Sequence, residues 1–344
     1  MTVLVTGANG HVGGNLVRAL LQRGERVRVR VLVHRNTRAL DGLPVERVTG
    51  DVCDPRSLAP ALAGVEIVYH LSAVISIDGD RGGSVQAVNV DGVRHVAEAA
   101  LTARVRRLVH CSSVHAFVQE PLDEPLDEQR RRVDLPHYPA YDRSKAAGEA
   151  ALRGVIARGL DAVIINPTGI IGPCDFGPSR MGRWLLALAA RRLPALVDGG
   201  FDWVDVRDVV AAAIAAAARG RTGQNYLIAG HWHSLGELAR MSADLTGVRI
   251  PRLEAPMWLA RLAAPWALAG GRLARREPLF TSEALHALRA NRRIRRERAA
   301  RELQHVPRPL RGTLADLYEW FAARGMLCPA ERAPSQRPAP LNAA

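Results

Sequence analysis

The chain opens on Thr2-Val3-Leu4-Val5-Thr6, and Gly7-Ala8-Asn9-Gly10-His11-Val12-Gly13-Gly14 follows at once. An uncharged run without polar alternation reads as a strand covered on both faces, as in a parallel sheet. Leu16, Val17, Leu20 and Leu21 then recur at helical spacing up to Gly24. Strand, glycine-rich turn and helix in direct succession form a βα unit whose turn suits phosphate. Gly7, Gly10 and Gly13 let the backbone turn tightly and approach a pyrophosphate, and the helix start offers unpaired N–H groups. An ordinary tight turn is the alternative reading.

The same alternation continues. Strands are expected over 27–33, 45–49, 65–70, 107–111 and 161–166, with helices over 58–62 and 84–102 and around Tyr141. The spacing predicts an α/β fold, a doubly wound parallel sheet of Rossmann type, with a smaller mixed C-terminal substrate lobe. The nucleotide-binding part is expected over 1–166, with 206–229 returning to its sheet. The lobe takes 167–205 and 230–327, and 328–344 is expected to be a disordered tail. In such sheets ligands sit beyond the carboxyl ends of the strands. Leu71-Ser72-Ala73, Ser112-Ser113 and the 166–173 stretch all fall there, and an acidic, proline-bearing stretch over 114–137 is expected to lie over the site.

Tyr141-Asp142-Arg143-Ser144-Lys145 holds the only lysine among 47 Lys and Arg residues. On a helix, positions 141 and 145 face the same way. An ammonium beside a phenol is expected to lower its pKa and make it a usable proton donor or acceptor. A half-buried tyrosine beside an exposed lysine is the plainer alternative.

No uncharged hydrophobic run is long enough to span a bilayer, and the richest stretch, 257–271, is broken by Arg261 and Pro265. The first strand begins at Thr2 without a charged leader. Four scattered cysteines, with no paired spacing and no histidine cluster, point to a cytoplasmic protein without a metal. The net charge of +13 is concentrated over 289–311, where nine arginines meet two glutamates. Such a run suits an acidic carrier protein or an anionic group, but no aromatic residues interleave it as in a nucleic-acid site. The plainer reading is a solvated, arginine-rich helix.

Taken in order, Thr6-Gly7-x-x-Gly10-x-x-Gly13, Gly50-Asp51-Val52, Asn89-Val90-x-Gly92, Ser112-Ser113, Tyr141-x-x-x-Lys145 and Asn166-Pro167 with Gly172-Pro173 resemble the extended short-chain dehydrogenase/reductase family. The likeness runs from residue 1 to about 327. Trp203-Val-Asp205-Val-Arg-Asp208 and Pro307-Arg308-Pro309-Leu310 are similar to the branch of dihydroflavonol reductases and 3β-hydroxysteroid dehydrogenases. The resemblance implies that Tyr141 is the catalytic acid or base. Lys145 would tune it and bond the nicotinamide ribose, and Ser113 would hold the substrate oxygen. Asn89 would order water or backbone behind the lysine, with a packing amide as the alternative. Cofactor contacts fall to Gly7, Asn9, Gly10, His11, Val12, Gly13, Asp51, Val52, Leu71, Ser72, Ala73, Pro167, Gly169 and Ile170, besides Tyr141 and Lys145.

The second strand ends in His34-Arg35-Asn36, where an NAD-selective site places a carboxylate. Arg35 suits a 2′-phosphate, so NADP is expected, with NAD left open. Phe117-Val118, Asn166 and Gln304-His305 depart from the family pattern. Phe201 stands where many sugar-nucleotide enzymes carry a diphosphate-binding arginine. The expectation is therefore an NADP(H)-dependent oxidoreductase acting on a ketone or secondary alcohol of a moderately hydrophobic small molecule. The alternatives are a sugar-nucleotide epimerase or dehydratase with tightly held NAD, and a non-enzymatic dinucleotide sensor. A small-molecule substrate is the expected partner, no nucleic acid or membrane span is expected, and a homodimer is left open.

Overall fold

The computed structural model describes residues 1–24, 28–33, 37–77, 79–251, 253–262 and 281–327. Its strands are β1 (Thr2–Thr6), β2 (Arg28–Val33), β3 (Glu46–Thr49), β4 (Ile67–His70), β5 (Arg107–Cys111), β6 (Ala162–Pro167), β7 (Gly169–Ile171), β8 (Leu196–Val197), β9 (Gly200–Asp205), β10 (Asn225–Ile228), β11 (His231–Ser234) and β12 (Glu254–Ala255). Seven form one sheet in the order β10-β6-β5-β4-β1-β2-β3, with every pair parallel. The order reverses between β1 and β4, so a crevice opens at their carboxyl ends.

Alternate residues of β1 serve two different cores, which is why the strand reads as uniformly apolar. Val3 and Val5 pack toward helices α1 (His11–Leu21) and α7 (Val206–Arg219), against Leu16, Leu20, Val209 and Ala213. Leu4 faces the other way, toward α2 (Leu58–Leu62), α4 (Gly92–Thr102) and α5 (Ala140–Ile156), against Leu58, Val96 and Leu152. Segment 206–229 contributes α7 and β10, and β10 pairs with β6.

A second core gathers Trp184, Leu188, Trp203, Leu238, Leu314, Leu317 and Phe321. It packs around a small mixed sheet, β11-β9-β7, and a two-stranded pair, β12-β8. Helices α6 (Arg180–Ala189) and α8 (Leu235–Thr246) belong to it, and residues 310–323 add a further helix.

The helix expected over 84–102 has those bounds, and within it α3 (Ser84–Gln86) widens into a π-turn, Ala87–Asp91, before α4 begins. That turn brings the Asn89 carbonyl so close to α5 that any side chain at Gly148 would collide with it. Two sequence expectations need correction. The 114–137 stretch does not cover the site along its length. It is tied to residues 291–295, where Leu126 pairs with Ile294 and the Asn291 amide donates to carbonyls of Gln119 and Glu124. The arginine run is not one solvated helix, because several of its cations bind the protein itself. Arg308 pairs with Asp208 at 2.7 Å, Arg298 with Glu128, Arg311 with Asp244, and Arg292 stacks on Trp232. No helix among the described residues is long and apolar enough to cross a membrane. Arg35, the 263–271 part of the hydrophobic stretch and the 328–344 tail lie outside the described residues.

Beneath the crevice, His70 of β4 and His110 of β5 are paired in register and stacked at 5.3 Å, both fully buried. Burial, reinforced by the Lys145 charge, pushes the His70 imidazole down to about 3. An unfolded histidine titrates near 6.5. Between those two values, as pH falls, the unfolded chain takes up a proton that the native chain refuses, so stability drops across this window. The urea midpoint is expected to fall steadily from neutrality toward about pH 4, and less steeply in His110→Phe. A flat midpoint over that window would contradict the assignment.

Candidate active site

A cavity of about 470 Å³ opens at the carboxyl ends of the central strands. One wall is the glycine turn. Gly7 sits at φ +67, and its carbonyl oxygen accepts from Gly10 N at 3.0 Å. A Cβ on Gly13 would lie inside van der Waals contact with that same oxygen. Helix α1 starts at Gly10 without a side-chain cap and without an acidic residue in its first turn. Its first N–H groups and positive end are therefore left to a ligand, the arrangement that binds phosphate. This uncapped turn, with no Cβ at Gly7, Gly10 or Gly13, fits the pyrophosphate of a dinucleotide. Gly13→Ala is expected to weaken dinucleotide binding by about 10²-fold or to lower stability by roughly 2 kcal/mol or more, read by fluorescence titration and thermal melting. An unchanged affinity and melting point would contradict the cradle.

Gly7, Gly10, His11, Val12, Gly13, Leu71, Ala73, Ser113, Tyr141, Lys145, Pro167, Gly169 and Ile170 all line the cavity. His11 also holds the structure locally. Its Nε2 meets the carbonyls of Gly172 and Pro173 at 3.0 and 3.1 Å, tying that loop to α1. Asn9, Asp51, Val52, Ser72 and Asn89 do not line it. Asn9 is exposed at the tip of the turn. Asp51 accepts from Cys53 N, Val52 packs in the core near Gly92, and Ser72 N donates to Thr6 Oγ1. Asn89 is a brace. Its Oδ1 accepts from Val74 N, and its Nδ2 donates to Val74 O and Ser144 Oγ, all within 2.9 Å. It orders backbone beside the cavity and the helix that carries Lys145.

Ser113, Tyr141 and Lys145 stand together. The Ser113 hydroxyl oxygen accepts from His115 N at 3.2 Å, while Ser112 Oγ has no partner among the described residues. The Lys145 ammonium lies 5.9 Å from the Tyr141 ring centre and donates to the Cys111 carbonyl at 3.2 Å. The expected fall in the phenol pKa is corrected here. Burial pushes the Tyr141 phenol well above its ordinary value, and the Ser113 hydroxyl beside it opposes this only in part. Burial likewise lowers the Lys145 ammonium, against the pull of Cys111 and Glu149. The phenol is therefore a protonated donor at neutral pH.

Sequence reasoning missed the support behind Ser113. Glu149, one helical turn beyond Lys145 and 1% exposed, pairs with Arg132 at 2.9 Å. It also accepts from Asn166 at 2.6 Å and from Asn225 at 3.0 Å. Asn166 passes the connection on by donating to the Ser113 carbonyl at 2.9 Å. The one local signal is the 145–149 spacing, since the partners arrive from three distant elements. Beyond Tyr141 the cavity wall is formed by Met181, Trp184, Phe201, Trp203, Leu235 and Leu288.

Residues 3–229 match the family described as the NAD dependent epimerase/dehydratase family. The chain belongs to that family. It is an extended short-chain dehydrogenase/reductase, an enzyme with a nicotinamide cofactor, and the residues above fit that group. The chain is 42% identical over 334 residues to "Sterol demethylase protein B" of Methylococcus capsulatus, covering 95% of this chain and 100% of that protein. It is 29% identical to "3-beta-hydroxysteroid dehydrogenase" of Mycolicibacterium neoaurum over 327 residues, 89% of this chain and 87% of the other. Among solved structures, that of gox2253 is 32% identical with a TM-score of 0.82, covering 95% of this chain and 99% of that one.

Proposed function

We propose that this extended short-chain dehydrogenase/reductase is an NADP(H)-dependent oxidoreductase that interconverts a ketone and a secondary alcohol on a sterol-like small molecule. The observation that carries the substrate class is the wall beyond Tyr141, built from two tryptophans, a phenylalanine, a methionine and leucines. Phe201 packs edge to face on Trp203 at 5.1 Å and offers a diphosphate nothing. A rigid apolar ring system buries well against such a surface. The names of the two protein relatives, a sterol demethylase component and a hydroxysteroid dehydrogenase, support the same class.

When bound, the nicotinamide supplies or accepts the hydride. The chain's own residues do the rest. Tyr141 donates its phenolic proton to the carbonyl oxygen during reduction and recovers it during oxidation. Ser113 Oγ, fixed by the His115 amide, holds that oxygen and stabilises the charge developing on it. Lys145 keeps a positive charge near the phenol, and its ammonium has donors to spare for a ribose hydroxyl. The apolar wall excludes water, so each of these interactions acts at low dielectric.

The NADP preference is supported by the sequence after β2, in which Arg35 takes the place of a carboxylate. Comparing kcat/KM with NADPH and NADH against one steroid ketone is the test, with about tenfold or greater preference for NADPH expected. Equal use, or a preference for NADH, would remove the phosphate-binding role of Arg35. A second reading, a sugar-nucleotide epimerase, draws on Arg180 and Arg183, which also line the cavity. It requires tightly held NAD and no net cofactor oxidation.

A further inference from the structure

One polar pair in the cavity has no part in the chemistry above. His115 lies two residues after Ser113, in the 3-10 turn Val114–Ala116. Asp142 follows Tyr141 directly in α5, and both side chains line the cavity. His115 Nδ1 is 3.6 Å from Asp142 Oδ1, with the two side chains only 17% and 7% exposed. The His115 and Tyr141 rings meet edge to face at 6.3 Å.

The imidazole is not satisfied as a core imidazole is. His95 and His305 each set a ring nitrogen on a backbone carbonyl, at 3.1 and 2.7 Å. His115 sets neither ring nitrogen on a backbone carbonyl in this way; its Nδ1 is buried and faces the Asp142 carboxylate at 3.6 Å. Neither ring nitrogen of His110 has a hydrogen-bond partner among the described residues, but that residue is buried in the sheet and does not line this cavity. With Nδ1 turned to Asp142, Nε2 is the ring nitrogen left to donate to a ligand in the cavity that His115 lines. Burial pushes the imidazole toward its neutral form, but the Asp142 carboxylate outweighs this and raises it above its ordinary value.

Ser113 and His115 are near neighbours in one turn, and Tyr141 and Asp142 are adjacent in α5. All four residues line the cavity and the His115 and Tyr141 rings meet at 6.3 Å, so an oxygen held by Ser113 and Tyr141 brings a neighbouring substituent toward His115. We propose that His115, oriented by Asp142, is a substrate-specificity residue that donates a hydrogen bond to a second oxygen, carried on the carbon next to the one that exchanges hydride. The preferred substrates are then ketones with an oxygen substituent beside the carbonyl. This rests on the ketone–alcohol reading above.

The test uses the full-length enzyme with NADPH and three probes: cyclohexanone, 2-methylcyclohexanone and 2-hydroxycyclohexanone. The wild type is expected to favour the hydroxyl over the methyl compound by about 10- to 100-fold in kcat/KM, the worth of one charge-assisted hydrogen bond. That ratio should collapse toward one in His115→Phe, fall less in Asp142→Asn, and be partly restored in His115→Gln, which keeps a donor. Equal use of the methyl and hydroxyl ketones by the wild type overturns the proposal without any variant. So does a ratio that is the same in wild type, His115→Gln and His115→Phe. If none of the three ketones consumes NADPH while a steroid ketone does, the specificity role falls and the ketone chemistry stands; if the steroid ketone consumes none either, the ketone chemistry itself fails.

Discussion

Tyr141→Phe is expected to lower kcat/KM by about 10³-fold or more while NADPH affinity stays within roughly twofold. The substitution deletes one oxygen and leaves the ring in place. The helix, the glycine cradle and the cavity wall are untouched, so binding has no reason to change. What disappears is the proton donor held in a site where burial keeps the phenol protonated. Ser113 alone then faces the oxygen anion, and it must also keep its bond from His115 N. Steady-state kinetics with a steroid ketone, paired with a fluorescence titration of NADPH, separates the two effects. Turnover near that of the wild type would remove Tyr141 from the chemistry.

Glu149→Ala is expected to have the largest effect on stability, about 3–5 kcal/mol, because it removes the buried carboxylate of an ion pair and leaves Arg132 only its bond to the Arg130 carbonyl and its stack on Phe117. Arg132, Asn166 and Asn225 all lose an acceptor at once. For a chain of 344 residues the melting temperature should drop by about 4–7 °C. Glu149→Gln keeps an acceptor oxygen and should fall between. Activity should drop further than stability alone explains, since Asn166 connects Glu149 to the Ser113 carbonyl. A melting temperature unchanged in the alanine variant would show that the network does not hold this region together.

Local pattern carried much of the fold. Helix α2 and strand β5 have the bounds that their periodicity predicts, because each is set by a short apolar run ended by polar or turn residues. The glycine turn was equally legible, since its spacing and flanking elements lie close together in the chain. Phe201 in the cavity wall could be anticipated from its offset to Trp203. What depended on distant contacts was not legible. Whether Lys145 lowers the Tyr141 phenol or burial raises it is decided by how completely α5 is covered. The π-turn at 87–91 reflects the close approach of α5 at Gly148, about sixty residues on. The arginine run looked like a solvated face because its acidic partners, Glu128, Asp208 and Asp244, come from elsewhere in the chain.

Net hydride exchange beside Tyr141 is the central claim, and isotope transfer tests it most directly. The purified protein is given a steroid ketone and NADPH deuterated at both hydrogens of nicotinamide C4. Cofactor absorbance and the mass of the product are followed together. One NADPH should be consumed for each alcohol formed, with the label on the carbon that bears the new hydroxyl. Product formed without net loss of NADPH, or an alcohol carrying no deuterium, would contradict it.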